Sequence, residues 1–266
     1  MLTADTSTLR LRHLSLAGLV AAAVGLSSAG APAQEGSEPQ APPEEASLID
    51  PRAEERLRAV SDLLAGADTL TFRAVSFFDE VRESGIQIKR FIVHDVQVDR
   101  PGRLAFTSTF DDGTVRQGWY DGETLTVAMP DADRYMRIEA PGDIDALLDL
   151  MQQDYDLNLP LADILYSDVY AAQEPYLLSA LHLGERILED QRLDHLSMES
   201  TGADWQLWLE QGERPLPRRM VIEFVAAEGQ PEYMATFASW TLNEPIDPAT
   251  FTAEIPEGWE QVEPVR

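Results

Sequence analysis

The sequence predicts an α+β fold in which helices lie on one face of an antiparallel sheet. Three observations predict it: a helical hydrophobic period near residue 50, an alternating period over most of the remaining chain, and a second helical block that interrupts the alternation. Of the 266 residues, 44% are hydrophobic. This is enough apolar material for one packed domain, which we place at residues 48–266.

The first 33 residues have the three parts of a secretory signal peptide. Arg10 and Arg12 precede an apolar run from Leu14 to about Leu26, and small residues follow up to Ala33. The run is shorter than the roughly 20 apolar residues that span a bilayer, so cleavage is favoured over anchoring. The chain has no cysteine, and therefore neither a thiol for lipid attachment nor a disulfide. We expect a soluble periplasmic protein, without a stable membrane anchor and monomeric.

Residues 34–47 are rich in Pro and Glu and contain no aromatic residue, which is typical of a disordered linker. Residues 1–33 carry two Arg and one Asp, so their removal changes the formal net charge from −27 to −28. Nucleic acid and anionic lipid headgroups are poor partners for such a surface.

A helix is predicted to begin at Asp50-Pro51, with the carboxylate as N-cap and Pro at the first helical position. After Gly66 the period becomes that of strands, separated by turn pieces such as Asp111-Asp112-Gly113. The first set of predicted strands covers Leu70 to Val81, Ile86 to Val98, Leu104 to Phe110, Val115 to Tyr120, Leu125 to Met129 and Tyr135 to Ile138.

A helical block is predicted between Asp143 and about Gln173. Asp143 caps its first helix, and Pro160 opens a second short helix that continues to Ile164. Strands then return at Leu177 to Leu183, His195 to Glu199, Trp205 to Leu209, Met220 to Val225 and Tyr233 to Leu242.

One hairpin can be predicted residue by residue. A two-residue turn at Thr201-Gly202 pairs Met198 with Trp205 and Leu196 with Leu207 on one face. The other face then pairs Ser197 with Gln206 and His195 with Trp208, and Glu199 meets Asp204 in an unfavourable like-charge pair.

No catalytic motif is recognisable. His94, His182 and His195 lie in different predicted strands without a second His at ligand spacing, so no metal site is predicted. The sequence has no nucleophile elbow, phosphate-binding Gly-rich loop or calcium loop, and no cofactor is predicted. A pair of carboxylates in a hydrolase remains an alternative, because acidic residues are abundant.

Large rings lie in many predicted strands, and core packing is the simpler interpretation of each. The functional interpretation is an apolar cavity between sheet and helices, suited to acyl chains or a hydrophobic peptide. The candidate lining residues are Phe72, Phe106, Trp119, Leu125, Trp205, Leu207, Phe224 and Phe237. For the predicted pair of His195 and Trp208, a stable surface contact is favoured over a ligand site.

The chain resembles the periplasmic family called domain of unknown function 2092 across nearly all of residues 48–262. The matching stretches are Ile49-Asp50-Pro51, Arg100-Pro101-Gly102-Arg103-Leu104, Tyr120-Asp121-Gly122, Leu159-Pro160-Leu161-Ala162-Asp163, His195-Leu196, Asp204-Trp205-Gln206-Leu207-Trp208, Pro215-Leu216-Pro217-Arg218-Arg219 and Phe237-Ala238-Ser239-Trp240. The resemblance implies a fold like that of the LolA/LolB lipoprotein carriers. In that fold a strongly curved, unclosed β-barrel is covered by a helical lid over an apolar cavity. The resemblance implies no reaction and transfers no site residue.

Three functions are therefore hypotheses. The first is a binding protein that holds a lipid, or the acyl chain of a lipoprotein, between sheet and lid. The second is a regulatory or sensor domain that binds a protein partner, as the carrier-like domain of periplasmic anti-sigma regulators does. The third is a hydrolase whose site the sequence does not reveal.

Overall fold

The computed structural model describes residues 48–155 and 161–264 and confirms the predicted α+β class. The predicted signal peptide, the predicted linker and the predicted helix start at Pro160 lie outside the described residues. The helices are α1 (Pro51–Ala65), α2 (Ile144–Tyr155) and α3 (Val169–Gln173). The strands are β1 (Thr69–Val81), β2 (Gln87–Asp99), β3 (Arg103–Phe110), β4 (Val115–Tyr120), β5 (Thr124–Met129), β6 (Arg134–Glu139), β7 (Leu177–Leu188), β8 (Gln191–Ser200), β9 (Ala203–Glu210), β10 (Pro217–Glu223), β11 (Glu232–Leu242) and β12 (Glu260–Gln261).

These strands form one unclosed sheet in the order β12-β6-β5-β4-β3-β2-β1-β11-β10-β9-β8-β7. Neighbouring strands are antiparallel except for β12, which runs parallel to β6. All the predicted strands are present, but β7 continues to Leu188 instead of ending at Leu183, and β12 has no counterpart among the predicted strands. The predicted register of the β8–β9 hairpin is confirmed, including the pairs Leu196 with Leu207 and His195 with Trp208.

Helix α1 begins as predicted. The Asp50 carboxylate accepts a hydrogen bond of 2.8 Å from the amide of Arg52, and Pro51 opens the first turn. The same carboxylate accepts a longer hydrogen bond, 3.4 Å, from the amide of His182 in β7. Ala53, Leu57, Val60 and Leu64 form the buried stripe that packs on the sheet. The N-cap thus joins the start of α1 to the last strand of the sheet.

The strand registers assign each residue to one of two faces, because side chains alternate along a strand and directly paired residues share a face. Helices α1 and α2 contribute Leu57 and Leu147 to the buried cluster on one of these faces. We call this the inner face and the opposite one the outer face. The central row of the inner face takes one residue from each of seven adjacent strands: Leu242, Leu70, Val98, Leu104, Tyr120, Leu125 and Ile138.

Three glycine-containing turns meet where α2 begins. A Cβ on Gly102 would lie 3.5 Å from the carbonyl oxygen of Gly142 and 3.6 Å from the Cα of Gly122, so the three backbones pack directly together. The hydroxyl of the fully buried Tyr120 donates to the carbonyl of Gly142 at 2.9 Å. The amide of Ile144 donates a hydrogen bond of 2.9 Å to the carbonyl of Pro101. These contacts fix the first turn of α2 to the sheet.

The chain after β11 covers part of the outer face. Phe251, in a 3₁₀ turn at Pro248–Phe251, is buried, and its ring centroid lies 5.2 Å from the guanidinium carbon of Arg103. Farther on, β12 pairs with the edge of β6. Beneath this segment, Ala105 and Ala128 are buried although they point away from the helices. The sheet therefore has a second, smaller packed layer on its outer face.

Candidate ligand-binding face

Two further rows of apolar side chains extend the inner face towards the β1–β2 turn. In the first, Gly118 leaves room for the ring of Phe106, which lies where a Cβ would be. This row consists of Trp240, Phe72, Val96, Phe106, Gly118, Val127 and Met136. The second row, on the other half of the sheet, consists of Met198, Trp205, Ile222, Tyr233 and Phe78.

Burial divides the inner face into two parts. Residues of the central row such as Leu125 are fully buried. By contrast Trp205, Phe224, Tyr233 and Met136 pack against the same core but stay partly exposed. The protein's own side chains thus cover the central row, except for the partly buried Leu242 at its end, and leave large apolar groups of the second part accessible.

Four polar side chains of the inner face are hydrogen-bonded in pairs. The hydroxyls of Ser76 and Tyr233 share a hydrogen bond of 2.6 Å, and His94 Nδ1 lies 2.9 Å from the hydroxyl of Ser108. Burial lowers the pKa of His94 from 6.5 to about 4, so its ring is neutral near pH 7. Burial also raises the pKa of the Asp163 carboxyl, in the segment after α2. These groups add little net charge to an apolar surface.

Helix α1 is held at the sheet and at α3 by polar contacts. Its Arg56 forms an ion pair of 2.9 Å with Asp194 of β8 and donates a hydrogen bond of 2.7 Å to the carbonyl of Glu210. The buried hydroxyl of Ser61 donates to the Asp168 carboxylate, which caps α3, at 2.9 Å. These contacts join α1 both to the sheet and to α3.

The family model described as predicted periplasmic protein (DUF2092) matches residues 53–264. The chain belongs to this family. The family resemblance predicted from the sequence motifs is confirmed, and so is the periplasmic location. None of the curated proteins is similar enough to this DUF2092 protein to match it.

Several solved structures are similar to it in architecture. LppX from Mycobacterium tuberculosis, a lipoprotein, is 17% identical with a TM-score of 0.46, covering 74% of this chain and 98% of its own. LprF from Mycobacterium bovis is 13% identical with a TM-score of 0.44, covering 80% and 99%. A LolA superfamily protein from Nitrosomonas europaea is 13% identical with a TM-score of 0.38, covering 76% and 97%. These values are too low to carry a ligand or a contact residue over to the DUF2092 chain.

The structure places seven of the eight predicted lining residues on the inner side. Phe72, Phe106, Leu125, Leu207 and Phe237 are buried there, whereas Trp205 and Phe224 are partly exposed.

Trp119 requires a correction, because it lies on the outer face. It pairs with Ala105 and Thr126, while its neighbour Tyr120 points to the inner face. Sequence reasoning also missed Tyr233 and Met136, whose period-two spacing from Ala235 and Ile138 indicates the inner face.

The predicted pair of His195 and Trp208 lies on the outer face. The two rings are stacked with centroids 4.2 Å apart, and His195 Nε2 lies 2.9 Å from the side-chain oxygen of Gln206. Burial lowers the pKa of His195, which disfavours the protonated form of the stacked imidazole. The pair has the geometry of the predicted stable contact.

Among residues 48–155 and 161–264, no group of three His, Asp or Glu side chains has the arrangement of a metal site. Over the same ranges, no helix is both long and apolar enough to cross a bilayer.

Proposed function

We propose that this DUF2092 protein binds a hydrophobic ligand, a lipid or the acyl chain of a lipoprotein, between the inner face of its sheet and its helices. The observation that carries the proposal is the partial exposure of Trp205, Phe224, Tyr233 and Met136, large apolar side chains that pack against the core of the inner face. Partly exposed apolar groups next to a buried core are typical of a binding site.

The predicted lining residues take two roles in this proposal. Trp205 and Phe224 contact the ligand, while Phe72, Phe106, Leu125, Leu207 and Phe237 form the apolar layer behind it. That layer keeps water away from the bound chain.

The energetics fit a carrier. Each methylene that leaves water gains about 0.8 kcal/mol, so an acyl chain has a strong preference for an apolar site. A membrane offers the same gain per methylene, so the protein can both take up and release the chain when the two affinities are nearly equal. The large apolar side chains of the inner face provide this non-directional attraction.

The test uses the mature protein purified from the periplasm. Native mass spectrometry should show a co-purified lipid or the uptake of added fatty acid. A nitroxide-labelled fatty acid should quench tryptophan fluorescence, because Trp205 contacts the chain in the proposed site.

The two tryptophans of β9 provide a matched pair of variants. Trp205→Phe should reduce the quenching and leave the contribution of Trp240 on the same face, whereas Trp208→Phe, on the outer face of the same strand, should leave the quenching unchanged. A protein that carries no lipid, takes up no fatty acid and shows no quenching would overturn the proposal. Equal loss of quenching in both variants would place the fatty acid elsewhere and overturn it as well.

A further inference from the structure

Strand β7 is an edge of the unclosed sheet. It is the last strand in the order, and among the described residues β8 is the only strand that pairs with it. The edge at the other end of the sheet differs, because β12 covers part of β6 there. An uncovered edge presents backbone amides and carbonyls that can pair with another extended chain.

Residues 48–50, just before α1, pair with one half of this edge. Ile49 forms a parallel bridge with Ala180, and the amide of Ala180 donates to the carbonyl of Leu48 at 3.2 Å. The amide of Asp50 donates to the carbonyl of Ala180 at 2.8 Å. A bulge between His182 and Gly184 separates this half from the rest of the strand. Within the described ranges, no segment pairs with the edge of residues 183–188 that faces away from β8.

Apolar side chains accompany this edge. Four of the large hydrophobic residues with high exposure lie in β7: Leu178 at 57%, Leu181 at 49%, Leu183 at 37% and Ile187 at 68%. The strand contains neither Lys nor Pro, two residues with which proteins commonly protect an exposed edge. An edge with these properties favours strand addition.

We propose that residues 183–188 bind an extended segment of a partner protein by strand addition. The partner's main chain pairs with the free edge, and its apolar side chains cover Leu183 and Ile187. This surface is separate from the proposed ligand site, so the proposal does not depend on the carrier function.

The charge of the protein determines which kind of partner segment is attracted to this edge. The formal net charge of the chain is −27. Beside the edge the carboxylates of Glu185 and Glu189 are ion-paired with Arg192 and Arg219, so the attraction for a basic segment comes from the charge of the chain as a whole. Two copies of so acidic a protein repel each other, which disfavours pairing of β7 with itself. A segment in which basic residues alternate with apolar ones is attracted to the same edge.

The probe is a fluorescein-labelled ten-residue peptide in which valine alternates with lysine, added to the mature protein. Fluorescence polarisation should show binding, and hydrogen exchange should slow at the amides of residues 183–188. A peptide with glutamate in place of lysine should bind at least about tenfold more weakly. The double variant Leu183→Asn/Ile187→Asn should weaken the binding of the lysine peptide by at least about tenfold.

Ile86→Asn is the matched control, because Ile86 at 62% is nearly as exposed as Ile187 but lies outside β7. It should bind the peptide like wild type. Unchanged binding in the double variant, an equal loss in the control, or protection outside β7 would overturn the proposal. So would equal binding of the glutamate peptide, or a concentration-dependent dimer in which the β7 amides are protected. Hydrogen exchange on the wild-type protein gives a result even if the double variant does not fold.

Discussion

His94 should make the stability of this protein depend on pH in a calculable way. It lies on the inner face with 4% of its surface exposed, and its Nδ1 is 2.9 Å from the Ser108 hydroxyl. Burial lowers its pKa from 6.5 to about 4, and the nearby charge of Asp95 only partly opposes this. The folded protein therefore keeps the ring neutral in a pH range where the unfolded chain protonates it.

The difference between the pKa of His94 in the folded and in the unfolded protein determines how stability changes with pH. The stabilisation is fully present above pH 6.5 and is lost as the pH falls towards about 4, because the unfolded state binds the proton first. The difference between 6.5 and about 4 corresponds to about 3 kcal/mol. About 2 kcal/mol of this is lost by pH 5, before most carboxylates begin to titrate.

Urea unfolding near pH 7.5 and pH 5 measures the effect. In His94→Asn, whose amide can still bond to Ser108, the loss of unfolding free energy between these pH values should be about 2 kcal/mol smaller than in wild type. Ser108→Ala is the control: it should lower stability at both pH values and keep the wild-type pH dependence. If His94→Asn loses as much stability as wild type on acidification, the imidazole is not the group responsible and the reasoning is wrong.

Three further substitutions test the packing. Gly118→Ala should cost about 1–3 kcal/mol in urea unfolding, because the new Cβ overlaps the ring of Phe106; a double-mutant cycle with Phe106→Leu should recover part of this, and additive losses would contradict the contact. Tyr120→Phe should lower thermal stability by about 1–3 kcal/mol, because it leaves buried carbonyls at the start of α2 without their donor; an unchanged melting temperature would contradict this. Glu199→Lys should raise stability by about 0.2–1 kcal/mol at neutral pH, because it replaces a like-charge cross-strand pair with an attractive one. Burial and Glu199 both raise the pKa of Asp204, so the gain should vanish when low pH protonates that carboxyl; a gain that persists at low pH would argue against a charge effect.

Local signals predict much of the fold. Asp50 and Pro51 set the start of α1 because an N-cap carboxylate and a first-turn proline act within one turn. The β8–β9 register is determined by the turn at Thr201-Gly202, since a slip by one residue would move Leu196 to the other face. In both places the decisive residues are close in sequence.

The features that the sequence does not reveal depend on distant contacts. The C-terminal segment around Phe251 has no period of its own and is positioned by the outer face it covers. Ring size alone favours the inner lining for Trp119, but alternation with its neighbour Tyr120 decides which face it occupies. Gly102, Gly122 and Gly142 converge in the structure, but no local pattern in the sequence brings three separate turns together.

The unclosed sheet links both proposals. A barrel closed by pairing β7 with the opposite end of the sheet would have no free edge, so residues 183–188 could not accept a strand. The same unclosed sheet leaves the inner face that carries Trp205 and Met136 to be covered by the helices instead of by a closed wall of strands. Within the described ranges no strand pairing joins the two ends of the sheet, and both the proposed ligand site and the proposed strand addition depend on this property. A partner strand would add to the free side of β7, one strand away from β8. Asp194 of β8 forms the ion pair with Arg56 that holds α1 to the sheet, so the partner would bind close to this contact.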